Sequence, residues 1–390
     1  MTYGGIGVKI FHTADWHLGK IVHGTSMLEV QRAFINDFIQ VIKEESPDVI
    51  IIAGDLYDRS QPPKEAVELL DYFLDEIILK EEIPVIAIAG NHDSPTHLHF
   101  ASKLLWDNGF YVVGKLEETN DPVILEDEFG EVHFHLAPFV DPSMVRNLYG
   151  DDSIRTYDDA VKTIVEKMIE KMNPQARHVF VGHFFVTPRG EKRENTSDSE
   201  RLLSVGGIEY VNASHFSNFN YVALGHLHRA HAVSKSFIRY AGSPLKYSIS
   251  EEHHKKSYYI VNLDKEGTVD IETKEINPMR DMRTVEGKIE DILRMEPSED
   301  YIFIKLLDRT PVLSPMEKVR AVFPNTLHLE RPYDQFVSSE DNEIHIKKEK
   351  QSDLELFQAF YKEVKGYAAE KEQLEIFNEL VEGIFQKDRE

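Results

Sequence analysis

Five short apolar runs, each followed by side chains that can bind a metal, constrain this chain more than any other feature. Residues 49–53 are all apolar and mostly β-branched, and the run is too short for an independent helix. It therefore predicts a strand buried on both faces. Gly54, Asp55 and Asp58 follow this run directly. The other runs are followed in the same way: 10–14 by Asp15 and His17, 85–89 by Asn91 and His92, 178–181 by His183, and 221–224 by His226 and His228.

The pattern between these runs predicts the fold class. Apolar residues recur at helical spacing near 27–42, 66–77, 97–107 and 155–171. The first three of these helices alternate with strands through the first third of the chain. Such alternation implies right-handed crossovers and a parallel sheet. Strands at 237–241, 257–263 and 268–276 are expected to close a second sheet. We therefore predict an α/β protein built as a two-sheet sandwich flanked by helices.

Changes in pattern along the chain suggest three domains. Residues 1–280 contain all five metal-ligand runs, and 277–280 are a plausible boundary. Residues 281–348 alternate short strands and helices, which predicts a small α/β capping domain. Residues 349–390 form two amphipathic helical patterns separated by Gly366, which predicts a C-terminal helical tail.

Composition narrows the class of function. The 390 residues include 44 basic and 68 acidic side chains, a net charge of −24, which argues against a protein that coats nucleic acid without help from cations. The chain has no cysteine, so it can form neither disulfides nor a thiolate metal site. We find no signal peptide and no apolar run long enough to span a membrane, and expect a soluble cytoplasmic protein without a membrane partner.

The residues after the strands suggest metal chemistry. Carboxylate and amide oxygens together with imidazole nitrogens suit Mn, Fe, Zn or Co better than Ca or Mg alone. A carboxylate such as Asp55 has two oxygens and can bridge two ions, and two ions can hydrolyse a phosphate ester. We expect the isolated histidines elsewhere to be surface residues or hydrogen-bonded core residues: His97, His99, His133, His135, His215, His231, His253 and His254.

In this order the motifs D-x-H, G-D-x-x-D, G-N-H-D, G-H and G-H-x-H resemble the calcineurin-like metallophosphoesterase superfamily. Finer matches at 13–19, 54–58, 90–94, 197–201, 225–230 and 241–244 resemble its branch of DNA-repair nucleases that work with a coiled-coil ATPase. The resemblance covers residues 1–280 in sequence and the remainder only in layout. It implies the metallophosphoesterase sandwich fold and two-metal hydrolysis of phosphodiesters.

Residue roles follow from this resemblance. One ion would be held by Asp15, His17, Asp55 and His228, and the other by Asp55, Asn91, His183 and His226. His92 follows a ligand and would act as the general acid, although a structural role in support of the ligands is the alternative. Asp58, where archaeal relatives can carry histidine, is expected to orient His92 through a hydrogen bond.

The resemblance also implies a substrate and partners. It predicts a Mn-dependent exonuclease on double-stranded DNA ends and endonuclease on single-stranded or hairpin DNA, acting in repair, recombination and replication. The C-terminal helices would bind the coiled-coil ATPase, or else pack on the chain's own body. Helices near 66–78 and 98–106 would build a homodimer within a heterotetramer, or else simply complete the core.

Several basic side chains could hold a DNA backbone, or could belong to a solvated loop: Lys20, His23, Arg189, Lys192 and Arg193. Two other functions remain open from the sequence. One is a stand-alone dinuclear metallophosphoesterase that acts on a small phosphoester, which the acidic charge favours. The other is a non-catalytic scaffold, which the complete set of ligand residues disfavours.

Overall fold

A computed structural model describes residues 7–119, 121–190 and 210–331 of the chain, together with the separate positions 357, 358, 361, 369, 373, 374 and 377. The strands are β1 Val8–Thr13, β2 Ile21–Val22, β3 Thr25–Ser26, β4 Val49–Ile52, β5 Val85–Ile88, β6 Phe110–Val113, β7 Val123–Asp127, β8 Gly130–Ala137, β9 Arg177–His183, β10 Val186–Thr187, β11 Val211–Asn212, β12 Tyr221–Gly225, β13 His231–Val233, β14 Lys235–Tyr240, β15 Ser257–Leu263, β16 Val269–Glu275, β17 Met282–Gly287, β18 Tyr301–Leu306 and β19 Thr326–Glu330.

The helices follow the apolar periodicity of the sequence. They are α1 Leu28–Glu45, α2 Lys64–Leu74, α3 Pro95–His99, α4 Ser102–Trp106, α5 Pro142–Tyr149, α6 Tyr157–Ile169, α7 Ile289–Ile292 and α8 Pro315–Arg320, with a π-helix at Asp75–Lys80 and 3₁₀ turns at Ala213–Phe216 and Ile249–Glu251. The helix predicted near 97–107 is instead two short helices. The chain breaks at Ala101, whose φ of 57° is left-handed and cannot continue an α-helix.

The first sheet has the strand order β16-β15-β1-β4-β5-β6. β1, β4, β5 and β6 are parallel, as the alternation of strands and helices predicted. β15 pairs antiparallel with β1, and β16 pairs antiparallel with β15. The prediction that β15 and β16 close the second sheet is therefore wrong. β15 is apolar and buried along most of its length, and β16 alternates between more and less exposed residues, but neither pattern specifies a pairing partner.

The second sheet has the order β13-β14-β12-β9-β8-β7. Its four central strands are parallel, and antiparallel strands lie at both edges. Of the three strands expected to close it, only β14 does so. The two six-stranded sheets, with helices outside them, confirm the predicted α/β sandwich.

Three apolar layers hold the sandwich together. Between the sheets lie β-branched and small residues such as Ile51, Val181 and Ala223, all fully buried. α1 and α2 cover the outer face of the first sheet through an aromatic cluster around Phe38. α6 covers the outer face of the second sheet, where Phe180 is buried. Burial on both faces explains why the strands have near-continuous apolar sequences.

A small three-stranded parallel sheet, β17-β18-β19, follows with α7 and α8 and has its own core around Ile304. It contacts the body through ion pairs and ring contacts. Lys246 of the body pairs with Asp281 at 2.8 Å, and the centroid of the His23 ring lies 5.1 Å from that of Phe303. Among the described residues, no helix has the length and apolar character needed to cross a membrane.

The ends of five strands meet at one edge of the sandwich. β1, β4 and β5 come from the first sheet, and β9 and β12 come from the second. The predicted metal ligands therefore come from both sheets of the sandwich.

Candidate metal centre

The carboxylate of Asp55 lies at the middle of the converging strand ends. Its Oδ2 is 3.4 Å from His183 Nε2 and 3.6 Å from His17 Nε2, while Oδ1 accepts a hydrogen bond of 2.8 Å from the backbone N–H of His92. Asp55 is only 2% exposed. One buried carboxylate therefore faces imidazoles from both sheets.

On one side of Asp55 lie Asp15, His17 and His228. One potential ligand atom from each of these three lies within 4.8 Å of the other two, and the Nε2 atoms of His17 and His228 are 3.1 Å apart. Asp15 Oδ1 accepts a hydrogen bond from His226 N, whereas Asp15 Oδ2 has no hydrogen-bond partner among the described residues. A fully buried carboxylate oxygen without a partner is well suited to a cation.

On the other side, Asn91 joins the two remaining histidines. Its Oδ1 is 3.0 Å from His183 Nε2 and 3.2 Å from His226 Nδ1. His183 Nδ1 lies 2.9 Å from the carbonyl oxygen of Ala53, which can only accept, so Nδ1 keeps its proton and Nε2 is the nitrogen that can bind an ion. All seven predicted ligands are thus brought together around two adjoining positions.

The backbone turns sharply to bring these side chains inward. Asp15, His17, Asp55 and His226 have φ values of 55°, 46°, 51° and 102°. Left-handed backbone at a residue other than glycine costs on the order of 1–3 kcal/mol and persists only where the surroundings enforce it. Four of the seven predicted ligands carry this strain, which marks the strand ends as a specialised site.

Glycines allow the strand ends to approach each other. A Cβ atom on Gly90 would lie 2.2 Å from Asp55 Oδ1, and one on Gly54 would lie 2.2 Å from His183 Nδ1. A Cβ on Gly225 would lie 1.9 Å from the carbonyl oxygen of Ala53 in the other sheet. These distances explain in physical terms why a glycine precedes Asp55, Asn91 and His226.

Asp93 supports the site, although the sequence analysis assigned it no role. Its buried carboxylate accepts hydrogen bonds from the backbone N–H groups of Gly90, Leu56 and Tyr57 at 2.9, 3.1 and 2.9 Å. It thereby joins the loops after β4 and β5. Burial, together with the charge of Asp55, raises the pKa of Asp93 to about 7. Asp93 is the last residue of the Gly-Asn-His-Asp motif, and this position could have indicated its supporting role.

Glu251 is a second supporting residue that the sequence did not reveal. It is fully buried, its Oε1 lies 3.0 Å from His228 Nδ1, and its Oε2 accepts a hydrogen bond from Lys256. A carboxylate on the far nitrogen of a metal-binding histidine fixes the ring and increases its basicity. Gln31 acts similarly on the backbone, donating to the carbonyl oxygen of His17 at 2.8 Å. Neither residue belongs to a motif.

The carboxylates and imidazoles of the site shift one another's pKa values. Burial alone would raise the pKa of Asp55, but the imidazole groups of His183 and His17 hold it well below its usual range. Burial likewise works to lower the pKa of His183, yet the carboxylates of Asp55 and Asp15 raise it to about 9. Burial lowers the pKa of His226 to about 3. His183 is therefore the group that carries positive charge next to Asp55 at neutral pH.

His92 stands apart from the seven ligands. It is half-buried, and its Nδ1 lies 2.8 Å from the backbone carbonyl oxygen of Asp58, so Nδ1 donates and Nε2 is left to exchange a proton. The carboxylate of Asp58 does not contact His92 in this way. It forms an ion pair with Lys20 at 2.8 Å, and its Oδ1 lies 3.9 Å from His17 Nδ1.

Two of the basic side chains predicted to hold a DNA backbone make other contacts within the chain. Lys20 is paired with Asp58, and the ring of His23 packs on Phe303 and His328 of the small domain. Arg189 is exposed two residues after β10. Lys192 and Arg193 lie outside the described residues, as does the 197–201 motif.

The donor set fits two divalent ions. Two carboxylates, one amide oxygen and four imidazoles converge within hydrogen-bonding or near-contact distance, and Asp15 Oδ2 lacks a hydrogen-bond partner among the residues described. Mixed oxygen and nitrogen ligands of this kind bind divalent transition metals. A shared carboxylate between them is typical of two-metal hydrolytic sites.

Comparison with known proteins agrees with this geometry. Residues 8–230 match the calcineurin-like phosphoesterase family, and residues 278–365 match the type 5 capsule protein repressor C-terminal domain. The chain belongs to the calcineurin-like phosphoesterase family, which confirms the resemblance inferred from the five motifs.

Two curated relatives extend the similarity to nearly the whole chain. The chain is 37% identical over 359 residues to the SbcD subunit of the nuclease SbcCD of Staphylococcus epidermidis, covering 91% of this chain and 93% of that protein. It is also 37% identical over 363 residues to the protein of the same name from Staphylococcus saprophyticus, with 92% and 94% coverage. A solved dimetal phosphatase from Danio rerio aligns with 70% of this chain and 98% of its own at 12% identity and a TM-score of 0.38.

Gly90→Ala tests the close approach of the strand ends. The new Cβ would lie 2.2 Å from Asp55 Oδ1, so the carboxylate must move and Mn²⁺ affinity should fall by at least about tenfold in isothermal titration calorimetry. Gly287→Ala is the matched control, because its Cβ would meet Ile292 at an ordinary 3.5 Å. Unchanged Mn²⁺ binding by Gly90→Ala would contradict this account of Asp55.

Metal binding should release protons because of His183. With its pKa raised to about 9, this imidazole is protonated at pH 7 and must lose a proton before it can bind an ion. Mn²⁺ affinity should therefore increase about tenfold per pH unit from 7 towards 9, and titrations in buffers of different ionisation enthalpy should count about one proton. His183→Asn should remove this dependence. Affinity that stays constant from pH 7 to 9 would refute it.

Proposed function

We propose that this chain is the nuclease subunit of an SbcCD-type complex and hydrolyses DNA phosphodiester bonds with two divalent metal ions. The observation that carries the proposal is the convergence of ligands from five strands on the buried Asp55 carboxylate. The 37% identity to relatives named as the SbcD subunit of the nuclease SbcCD, over nine-tenths of the chain, supports the choice of substrate and complex.

The ligand roles follow the two groups around Asp55. Asp15, His17, Asp55 and His228 would hold one ion, and Asp55, Asn91, His183 and His226 the other. When bound, such ions neutralise phosphate charge and act as Lewis acids. Mixed carboxylate and imidazole ligands support Mn²⁺ as the native ion.

His92 would act as the general acid. Its Nδ1 is fixed by the Asp58 carbonyl, which leaves Nε2 to donate a proton to the leaving oxygen of the cleaved phosphodiester. Its half-exposed position would allow the ring to regain a proton from solvent. The backbone carbonyl of Asp58, rather than its carboxylate, would therefore orient His92.

The net charge of the chain limits how it would hold DNA. With a net charge of −24, the protein would hold DNA mainly through its metal ions and a few exposed cations such as Arg189. We propose exonuclease action on double-stranded ends and endonuclease action on single-stranded or hairpin DNA. A nuclease of chromosomal DNA with an ATPase partner would work in the cytoplasm.

We further propose three domains: the nuclease domain 1–280, a capping domain 281–348 and C-terminal helices 349–390 that bind an SbcC-like coiled-coil ATPase. Most of the last segment lies outside the described residues. Two described positions, Phe357 and Phe377, are helical and their rings stack with centroids 4.2 Å apart. That contact supports two tail helices that face each other.

Exposed apolar residues support a homodimer within a heterotetramer. Phe100 and Leu104 are four residues apart and 79% and 69% exposed, and Leu79 is 67% exposed. Large apolar side chains exposed together commonly mark interfaces. The alternative that these helices only complete the core is disfavoured by this exposure.

A cleavage assay on linear DNA with Mn²⁺ tests the nuclease proposal. Asp55→Ala should lose both ions and all cleavage, whereas His92→Ala should keep two Mn²⁺ per chain and lose cleavage by roughly 10²–10⁴-fold, since only proton transfer is removed. His97→Ala, an exposed neighbour, is the control. Loss of metal from His92→Ala would exclude the general-acid role, and cleavage of a small phosphodiester but not DNA would favour a stand-alone phosphoesterase.

Phe100→Asp combined with Leu104→Asp tests the dimer. Two charges in a buried apolar interface should convert the dimer to a monomer in analytical ultracentrifugation. Leu313→Asp is the control, because Leu313 is 82% exposed on the small domain. A wild-type chain that sediments as a monomer at micromolar concentration would contradict the proposal.

Removal of residues 351–390 tests the tail. The shortened chain should no longer bind the coiled-coil ATPase in a pull-down, yet should still hydrolyse a small phosphodiester with Mn²⁺, because no predicted ligand is removed. Unchanged ATPase binding would refute the docking role.

A further inference from the structure

Three histidines lie together on the outer face of the second sheet, away from the metal centre. His133 and His135 are on β8, and His178 is on the neighbouring β9 directly opposite His133. Their side chains are buried, with 6%, 1% and 6% exposure. We had expected His133 and His135 to be ordinary isolated histidines, but the pairing of β8 with β9 brings them to His178.

The ring nitrogens of this cluster face one another. His135 Nε2 and His178 Nδ1 are 3.1 Å apart, and one nitrogen from each of the three rings lies within 4.8 Å of the other two. Two nitrogens bound to one tetrahedral Zn²⁺ lie about 3.3 Å apart, given Zn–N distances of about 2.0–2.1 Å. A metal ion could therefore be accommodated by small ring rotations.

Hydrogen bonds on the far side of two rings set their tautomers. His178 Nε2 lies 2.9 Å from the carbonyl oxygen of Asn173, and His133 Nε2 lies 2.8 Å from Glu131 Oε2. Both oxygens accept, so both Nε2 atoms carry protons and both Nδ1 atoms have lone pairs. Backbone carbonyls and carboxylates are the usual partners of zinc-bound histidines.

The third ring leaves one polar atom unsatisfied. His135 Nε2 must donate to His178 Nδ1, and His135 Nδ1 then has no hydrogen-bond partner among the described residues. Burial, with a smaller effect of His178, lowers the pKa of His135 to about 3, so the ring is neutral. A neutral ring can bind a metal ion through Nε2 when its single proton moves to Nδ1, with no net loss of a proton from the ring.

We propose that His133, His135 and His178 bind one Zn²⁺ ion in a structural site that is separate from the metal centre. His178 and His183 share β9 but are five residues apart, which places their side chains on opposite faces of the sheet and their Cα atoms about 16 Å apart. The site would tie β8 to β9 beside the loop that contains Asn173. Three neutral nitrogens favour Zn²⁺ over Mn²⁺ or Mg²⁺, which prefer oxygen ligands.

Zinc stoichiometry of the full-length chain tests this site. Metals are removed, the protein is titrated with Zn²⁺, and its metal content is measured by mass spectrometry. The wild type should retain one Zn²⁺ ion more per chain than His135→Phe. The two proteins should retain equal amounts of Mn²⁺. His215→Phe is the matched control, because His215 also pairs with a carboxylate, Asp158, at 2.8 Å but is not in the cluster.

Equal Zn²⁺ content in the wild type and a folded His135→Phe would overturn the proposal. If His135→Phe does not fold, crystals of the wild type soaked with Zn²⁺ decide the question. An anomalous peak at the zinc edge between the three rings supports the site, and its absence there overturns it.

Discussion

The rest of the metal centre depends on the burial of the Asp55 carboxylate. An anionic group that is 2% exposed needs compensation, and here a backbone N–H and the imidazoles of His183 and His17 provide it. Those groups come from both sheets, so the two sheets must approach closely at this edge. Gly54, beside His183 of the other sheet, and Gly225, beside Ala53 of the other sheet, make that approach sterically possible.

Contacts across the two sheets then fix the site. His183 on β9 donates to the carbonyl oxygen of Ala53 after β4, and the backbone N–H of His226 after β12 donates to Asp15 after β1. Each bond joins a ligand of one sheet to the other sheet. Relative movement of the sheets would therefore separate the ligands, and the apolar layer between the sheets serves the chemistry as well as the stability.

Much of this could be predicted from the sequence, because buried parallel strands are apolar throughout and their ends are marked by glycine and ligand residues. The pairing partner of each strand could not be predicted in this way. β15 has the same pattern as a second-sheet strand, and only its packing beside β1 decides its place. Glu251 was missed for a related reason: it reaches His228 through the tertiary fold, 23 positions along the chain. A hydrogen bond from His92 to Asp58 was predicted, but the backbone carbonyl of Asp58 rather than its carboxylate contacts the ring, which side-chain patterns cannot reveal.

The two histidine clusters on β9 differ in the charge that surrounds them. The metal centre contains two buried carboxylates, Asp15 and Asp55, whose negative charges favour the binding of divalent cations. The outer cluster has three imidazoles and a carboxylate, Glu131, that lies beyond the ring of His133. A cation there gains less from charge and more from nitrogen coordination, which favours Zn²⁺. Strand alternation therefore allows one strand to present two metal sites of different selectivity, one on each face of the same sheet.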